Sequence, residues 1–245
     1  MKSPPNILGV IGARSGSKTI PDKNIKPLLG KPLFSWIAQA AKKSQYLNRL
    51  IISTDSPAYA KVAREYGIEA PFLRPRELAE DQVPDFDYLY HAATWLRDNE
   101  NWKADIILRL PPTTPLCRTE HIDDCIKLLL DDPQADSSRT VTLASKHPYK
   151  LWREKNGYLQ PFLSEEFTGL KDAHNLPRQA LPAAYQHVDV IALRWKTLVE
   201  DKSMAGERVR YYTILKSDAI DIDSEIDFLV AETLLKKRME REGIV

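Results

Sequence analysis

The run Ile7-Leu8-Gly9-Val10-Ile11 passes directly into Gly12-Ala13-Arg14-Ser15-Gly16-Ser17-Lys18 and then Thr19-Ile20-Pro21-Asp22-Lys23-Asn24. The opening residues are continuously apolar rather than alternating, which predicts a strand buried on both faces, as in a parallel sheet. The loop after it would emerge at the carboxyl end of that strand, where open α/β sheets bind their ligands. Glycines, serines and cations in such a loop turn backbone N–H groups and positive charge toward an anion such as phosphate. The spacing of Gly12 and Gly16 fits neither G-x-x-x-x-G-K-S/T nor G-x-G-x-x-G. On pattern alone, a phosphate site and a solvated basic loop both remain open.

Outward from this loop, apolar runs alternate with helical periodicity. Leu33, Ile37, Ala40 and Ala41 have helix spacing, and Arg49 to Thr54 reads as a strand. Ser56 then offers an N-cap with Pro57 at the first helical position, and Gly67 a C-terminal stop. A helix through Phe86, Leu89, Tyr90 and Ala93 precedes a strand at Ile106 to Leu108. Thr119 reads as the cap of a helix burying Ile122, Cys125, Ile126 and Leu129, and Val141 to Ala144 as a further strand. Residues 146–184 break the rhythm with Pro148, Pro161, Pro177 and Pro182, which predicts an irregular or β-rich excursion rather than a second core. The pattern resumes with strands at Val188 to Leu193 and Arg210 to Leu215. A last helix starts near Ser224 and is expected to bury Ile226, Leu229, Val230 and Leu234. Strands alternating with helices predict a mostly parallel sheet covered on both faces.

The chain has 245 residues, with 35 Lys+Arg against 34 Asp+Glu and a formal net charge of +1. That balance gives no footprint for nucleic acid, whose binders carry basic patches. No run approaches the ~20 apolar residues that span a bilayer, and the apolar run ending at Arg14 is too short for a signal peptide. A cytoplasmic protein with no membrane partner is the expectation. Cys117 and Cys125 fit neither a disulfide framework nor a C-x-x-C metal pair. His91 and His121 fall on predicted helices and His174 in a loop, none with metal-ligand spacing. Asp221-Ile222-Asp223 alternates acid, apolar, acid, so an extended segment would bury Ile222 and present two carboxylates on one side. Such a pair suits Mg²⁺, while Asp223 or Ser224 would equally cap the last helix.

Several blocks together resemble the acylneuraminate cytidylyltransferases (CMP-sialic acid synthetases), relatives of the CMP-Kdo synthetases. They are Ala13-Arg14-x-x-Ser17-Lys18-x-x-Pro21-x-Lys23-Asn24, Lys31-Pro32-Leu33, Ser53-Thr54-Asp55, Arg74-Pro75-x-Glu77-Leu78-Ala79 and Pro112-Thr113-Thr114-Pro115-Leu116. His147-Pro148-Tyr149-Lys150, Pro177-Arg178-Gln179 and Ile220 to Glu225 complete the series in family order. The resemblance implies a single three-layer α/β/α, Rossmann-like nucleotidyltransferase domain over 1–245, with 146–184 inserted as a small protruding dimerisation and acceptor-binding segment. It implies transfer of CMP from CTP to the anomeric hydroxyl of a 3-deoxy-2-ulosonic sugar acid, with release of pyrophosphate, by a Mg²⁺-dependent homodimer.

By the same resemblance, Ala13, Arg14, Ser17, Lys18, Lys23, Asn24, Arg74 and Thr113 would hold the nucleotide. Arg14, Lys23 and Asp223 would be catalytic, and Asp221 and Asp223 would bind the metal. Lys150, Arg178 and Gln179 would meet the acceptor, the first two across the dimer; Gln186 and His187, where the chain departs from the family, are further candidates for acceptor contact, with a structural role open for His187. The aromatic cluster Tyr149, Trp152, Tyr158 and Phe162 is expected to pack an interface or a small core. Two departures stand out. Pro111 replaces the glutamine that usually precedes Pro-Thr-x-Pro, which shifts base selection to backbone groups, Asn24 or Arg109. Gln186-His187-Val188-Asp189 replaces Arg-Pro-Asn-Gly, which leaves the acceptor sugar open.

Overall fold

The computed structural model describes residues 4–243. Ten strands form: β1 (Ile7–Gly12), β2 (Pro27–Leu28), β3 (Lys31–Pro32), β4 (Arg49–Ser53), β5 (Ile106–Leu110), β6 (Ser137–Leu143), β7 (Trp152–Lys155), β8 (Tyr158–Pro161), β9 (Tyr185–Arg194) and β10 (Val209–Thr213). The helices are α1 (Leu33–Lys42), α2 (Pro57–Glu65), α3 (Asp85–Glu100), α4 (Thr119–Asp131), α5 (Glu165–Thr168) and α6 (Glu225–Arg241). Six strands make the central sheet in the order β10-β6-β9-β5-β1-β4. All pair in parallel except β9, which runs antiparallel to both β5 and β6.

Both faces of the sheet are covered, as the apolar runs require. Ile7 and Ile11 of β1 pack with Phe34 and Ile37 of α1, Ala60 of α2 and Ile122 and Ile126 of α4. Leu8 and Val10 point the other way, against Tyr88, Leu89 and Leu96 of α3. The period-two alternation of a strand thus feeds two cores at once. Ser56 caps α2 as expected, its hydroxyl accepting the Tyr59 N–H at 3.3 Å, and Gly67 stops it with a φ of 65°.

Three expectations change. β6 begins at Ser137, ahead of the predicted Val141, because Ser137, Ser138 and Thr140 are buried polar residues that hide a strand from an apolar pattern. Arg118, not Thr119, stands at the N-cap of α4, and the Thr119 hydroxyl instead donates to the Ala40 carbonyl at 3.0 Å, tying α4 to α1. In α6, Ile226, Leu229 and Val230 are exposed, while Phe228, Ala231 and Leu235 are buried with Leu28, Trp36, Leu116 and Ile222. Burial of Phe228 and Leu235 is worth about 2 kcal/mol each, and theirs is the face that meets Leu28, Trp36 and Leu116.

Residues 146–184 hold the β7–β8 hairpin, α5 and short 3-10 turns, an irregular excursion as predicted. Trp152, Tyr158 and Phe162 are exposed, so they form no small core within the chain.

Candidate active site

β4, β1 and β5 lie side by side and parallel, with β1 in the middle. The chain leaves β1 to one side for β4 and later returns to the other side for β5, so the strand order reverses between β1 and β5. Their carboxyl ends therefore open a crevice at the place where such sheets bind ligands. A cleft of about 350 Å³ lies there, walled by the loop after β1, by Arg109 to Thr113 after β5, by the start of α3 and by Asp223. The basic loop near the amino terminus and the acidic segment near the carboxyl terminus share this one cavity.

Local bonds hold the first loop in shape. Ser15 donates its N–H and hydroxyl to Asp55 at 2.8 and 2.6 Å. Asn24 gives its side-chain N–H to the Arg14 carbonyl at 2.9 Å, while its Oδ1 is buried with no partner. Asp22, with a φ of 50°, turns the chain into the 3-10 turn Lys23–Ile25 that aims Lys23 into the cleft. Gly12 is needed for close approach, since a Cβ there would meet the Tyr88 ring at 2.5 Å.

The cations of the cleft are already matched with acids. Arg14 Nη2 lies 2.8 Å from Asp81, and Lys18 contacts the same carboxylate. Lys23 Nζ donates to the Ile222 carbonyl at 2.6 Å and lies 3.5 Å from Asp223. Arg109 is paired with Asp85 and also reaches the Asp189 carbonyl at 3.4 Å. Arg74 is buried, donates to the Ser53 carbonyl and hydroxyl, and stacks on Tyr88 at 4.5 Å. It braces the wall more than it faces a ligand.

Asp221, Ile222 and Asp223 adopt the expected alternation, with Ile222 fully buried and both acids on the other side. The Ile222 N–H donates to the Thr113 carbonyl at 2.9 Å, and Lys26 pairs with Glu225 at 2.8 Å, so both ends of the chain are tied to the cleft. The capping reading also holds: Ser224 caps α6 and Asp227 accepts its N–H at 2.8 Å. The Asp223 backbone N–H also donates to Asp227 at 3.2 Å, while its side chain stays outside the cap and lines the cleft. Surrounding protein raises the Asp221 pKa above the ordinary carboxylate value; the Thr113 hydroxyl opposes this and the Asp223 charge adds to it. Asp221 is exposed to water and, unlike Asp223, does not line the cleft, so desolvation here means crowding by protein rather than enclosure. Two neighbouring carboxylates, one of them raised by the charge of the other, are a donor set that fits a hard divalent cation.

Of the residues singled out in the sequence, Arg14, Ser17, Lys18, Lys23, Asn24, Arg74, Thr113 and Asp223 line the cleft. Ala13 does not: its methyl group is in the core and its N–H goes to the Ser53 carbonyl at 3.0 Å. Lys150, Arg178, Gln179, Gln186 and His187 lie outside the cleft of their own chain. Arg178 bonds the Ala144 carbonyl and Lys150 the His174 carbonyl, each within or beside the 146–184 excursion. His187 is half-buried with its Nδ1 3.2 Å from the Thr140 carbonyl, and burial, with Arg109 nearby, pushes its pKa down to about 4. Asp81, Asp85 and Tyr88 were missed. Asp81 sits two residues past the Arg74-to-Ala79 block, which was the available signal.

A family model described as cytidylyltransferase matches residues 8–228. The chain belongs to the cytidylyltransferase family. It is 29% identical over 232 residues to N-acylneuraminate cytidylyltransferase of Escherichia coli O18:K1:H7, a match covering 95% of this chain and 52% of that protein. The chain thus spans about half the length of that relative. It spans 96% of post-translational flagellin modification protein B of Campylobacter coli, at 29% identity over 95% of this chain. It likewise spans 98% of the CMP-N,N'-diacetyllegionaminic acid synthase of Legionella pneumophila, at 28% identity over 96% of this chain. Among solved structures, CMP:2-keto-3-deoxy-manno-octonic acid synthetase complexed with CTP superposes with a TM-score of 0.70 at 18% identity, covering 95% of this chain and 99% of that one. That likeness establishes the Rossmann-like nucleotidyltransferase fold.

Proposed function

We propose that the chain transfers CMP from CTP to the anomeric hydroxyl of a 3-deoxy-2-ulosonic sugar acid, releasing pyrophosphate. The observation that carries this is the convergence of Arg14, Lys18 and Lys23 with Asp223 around one cleft at the β1–β5 crevice. Phosphoryl transfer asks mainly for positioning and for neutralisation of charge on the transferred group. Arg14, Ser17 and Lys18 would take the outer phosphates, the two cations exchanging Asp81 for them. Lys23, held between the Ile222 carbonyl and Asp223, would meet the α-phosphate. The hydroxyl oxygen forms the new bond to the α-phosphorus as the bridge to the β-phosphate breaks. Asp221 and Asp223 would hold a divalent cation, which when bound supplies further charge neutralisation on the phosphates.

Pro111 in the cleft wall offers no side-chain hydrogen bond to a base. Asn24, with one unpartnered oxygen, and Arg109 remain as the polar groups for that task. The exposed apolar residues Trp152, Tyr158, Leu159, Phe162 and Phe167 support a homodimer built on the 146–184 segment of a single nucleotidyltransferase domain. In it Lys150, Arg178, Gln179, Gln186 and His187 would serve the acceptor, the first two reaching a partner's cleft. Among the described residues no helix is long and apolar enough to cross a membrane. A CTP-consuming reaction with unpaired thiols fits the cytoplasm.

Pyrophosphate release, measured with each nucleoside triphosphate against a set of keto-deoxy sugar acids and Mg²⁺, tests the reading. Turnover with CTP and a sugar acid is expected, and Asp223→Asn should abolish its metal dependence without unfolding the chain. Turnover only with another nucleotide and a hexose 1-phosphate would overturn it.

A further inference from the structure

Three donor side chains of different kinds meet in the interior, outside the nucleotide cleft. Cys117 lies in the loop entering α4, His121 follows one helical turn later, and Asp189 comes across from β9. One ligand atom from each lies within 4.8 Å of the other two. Exposure is 4% for Cys117, 4% for His121 and 0% for Asp189.

Asp189 is the group that needs explaining. Neither of its carboxylate oxygens has a hydrogen-bond partner, and a buried carboxylate left alone is strongly unfavourable. His121 approaches it, with Nδ1 3.4 Å from Oδ2, and the Cys117 thiol lies against the same carboxylate. That nitrogen also accepts the Arg118 backbone N–H at 3.3 Å, which marks it as an unprotonated acceptor. With Asp189 ionised, two acceptors face one another, and a cation between them satisfies both. The other ring nitrogen faces Asp218 at 3.7 Å, and Asp218 is fixed by Arg118 at 2.8 Å and Arg238 at 2.9 Å. A carboxylate on the outer nitrogen is how proteins set a histidine to ligate through the inner one. Since two arginines already balance Asp218, His121 need carry no charge for it.

We propose that Cys117 Sγ, His121 Nδ1 and an Asp189 oxygen bind a borderline-soft divalent cation, for which Zn²⁺ fits best. Sulfur, imidazole and carboxylate together select Zn²⁺ over Mg²⁺ or Ca²⁺, and a fourth position is left for water. Charge also balances: a thiolate and a carboxylate match one divalent ion, whereas a proton on His121 would match Asp189 alone. On binding, the thiol proton leaves to solvent as the sulfur–metal bond forms. Access is available, because Cys117 lines a separate surface pocket of about 270 Å³ with Arg118 and Arg238. The ion would brace the loop bearing Pro111 to Thr113, and hence one wall of the cleft, against β9. Sequence spacing concealed the site because its third donor is remote in the chain.

The test is a Co²⁺ titration of the untagged full chain, stripped by chelation and kept reduced. A thiolate-to-cobalt charge-transfer band saturating at about one equivalent and bleached by Zn²⁺ is expected, with a Zn²⁺-dependent rise of several degrees in Tm. Cys117→Ser should remove the band, and Asp189→Asn should weaken binding at least tenfold. Cys125→Ala and Asp223→Asn should leave it intact, which separates this site from the catalytic one. A folded wild-type chain with no such band, or a band that survives Cys117→Ser, overturns the assignment. So does an infrared carbonyl stretch, lost in Asp189→Asn, showing a proton on Asp189 after Zn²⁺ is added.

Discussion

Lys23→Met separates the two tasks assigned to this lysine. Its side chain is 13% exposed, and its ammonium donates to the Ile222 carbonyl at 2.6 Å while lying 3.5 Å from Asp223. Methionine keeps the length and removes the charge. A hydrogen bond from a charged donor contributes about 1.5–3 kcal/mol, and here its loss also leaves a carbonyl without that partner. A loss of about 2 kcal/mol lowers Tm by roughly 4–8 °C in a chain of this size. Turnover should fall further than stability accounts for. One preorganised donor at a reacting phosphate is worth about 3 kcal/mol, or roughly a hundredfold in kcat. The assay is pyrophosphate release at saturating CTP and sugar acid, at a temperature where both proteins are folded by circular dichroism. Lys23→Arg should recover much of the Tm and little of the rate, because its fork cannot place one charge at the same point. A folded Lys23→Met enzyme within threefold of wild-type kcat would refute the placement of Lys23 at the transferred phosphate. An unchanged Tm would refute its role in joining the two halves of the cleft.

Three further outcomes are expected. Asp81→Asn frees Arg14 and Lys18 from their shared carboxylate and should tighten CTP binding several-fold by calorimetry; weaker binding would show that Asp81 positions the cations instead of competing for them. Gly12→Ala drives a methyl group into the Tyr88 ring and should cost about 1–3 kcal/mol in denaturant unfolding, with Tyr88→Leu restoring most of the loss; additive effects of the two substitutions would reject the contact. His187, held to about 4 in the fold against an ordinary 6.5, binds its proton more readily when unfolded, so its contribution is full above pH 6.5 and lost as pH falls to 4. His187→Gln should flatten that part of the stability–pH curve by up to about 3 kcal/mol, and an unchanged curve would show the imidazole to be hydrated.

What could be read from the chain, and what could not, follows the range of the interactions. The loop from Gly12 to Asn24 was legible because its chemistry is contiguous, and Asp221 to Asp223 because alternation alone puts Ile222 in the core. The final helix was legible in position, through Ser224, but not in rotation. Ile226, Leu229 and Val230 have the same spacing as a core face, and only packing against Leu28, Trp36 and Leu116 decides for Phe228, Ala231 and Leu235. Asp85 and Tyr88 enter the cleft because α3 docks beside β1, and nothing adjacent to them in sequence announces it, whereas Asp81 lies just past the Arg74-to-Ala79 block. Asp189 was noted only as a departure, since its burial beside His121 depends on β9 lying between β5 and β6.

The charge pattern of the cleft bears on how a polyanion would enter it. Arg14 and Lys18 share Asp81, Arg109 holds Asp85, and Lys23 stands beside Asp223. Binding a triphosphate is then an exchange of partners and not the capture of anions by free cations. Asp81 is partly exposed at the cleft edge, so it can turn to water when phosphate displaces it, and the screened pair costs little to break. Asp223 has no such need to leave. In the proposed reaction it is repelled by phosphate yet adjacent to Lys23, and a divalent cation held by it would offset that repulsion. Within the cleft the cations are stored against the chain's own acids, and under the proposed function a ligand would replace one set of partners by another.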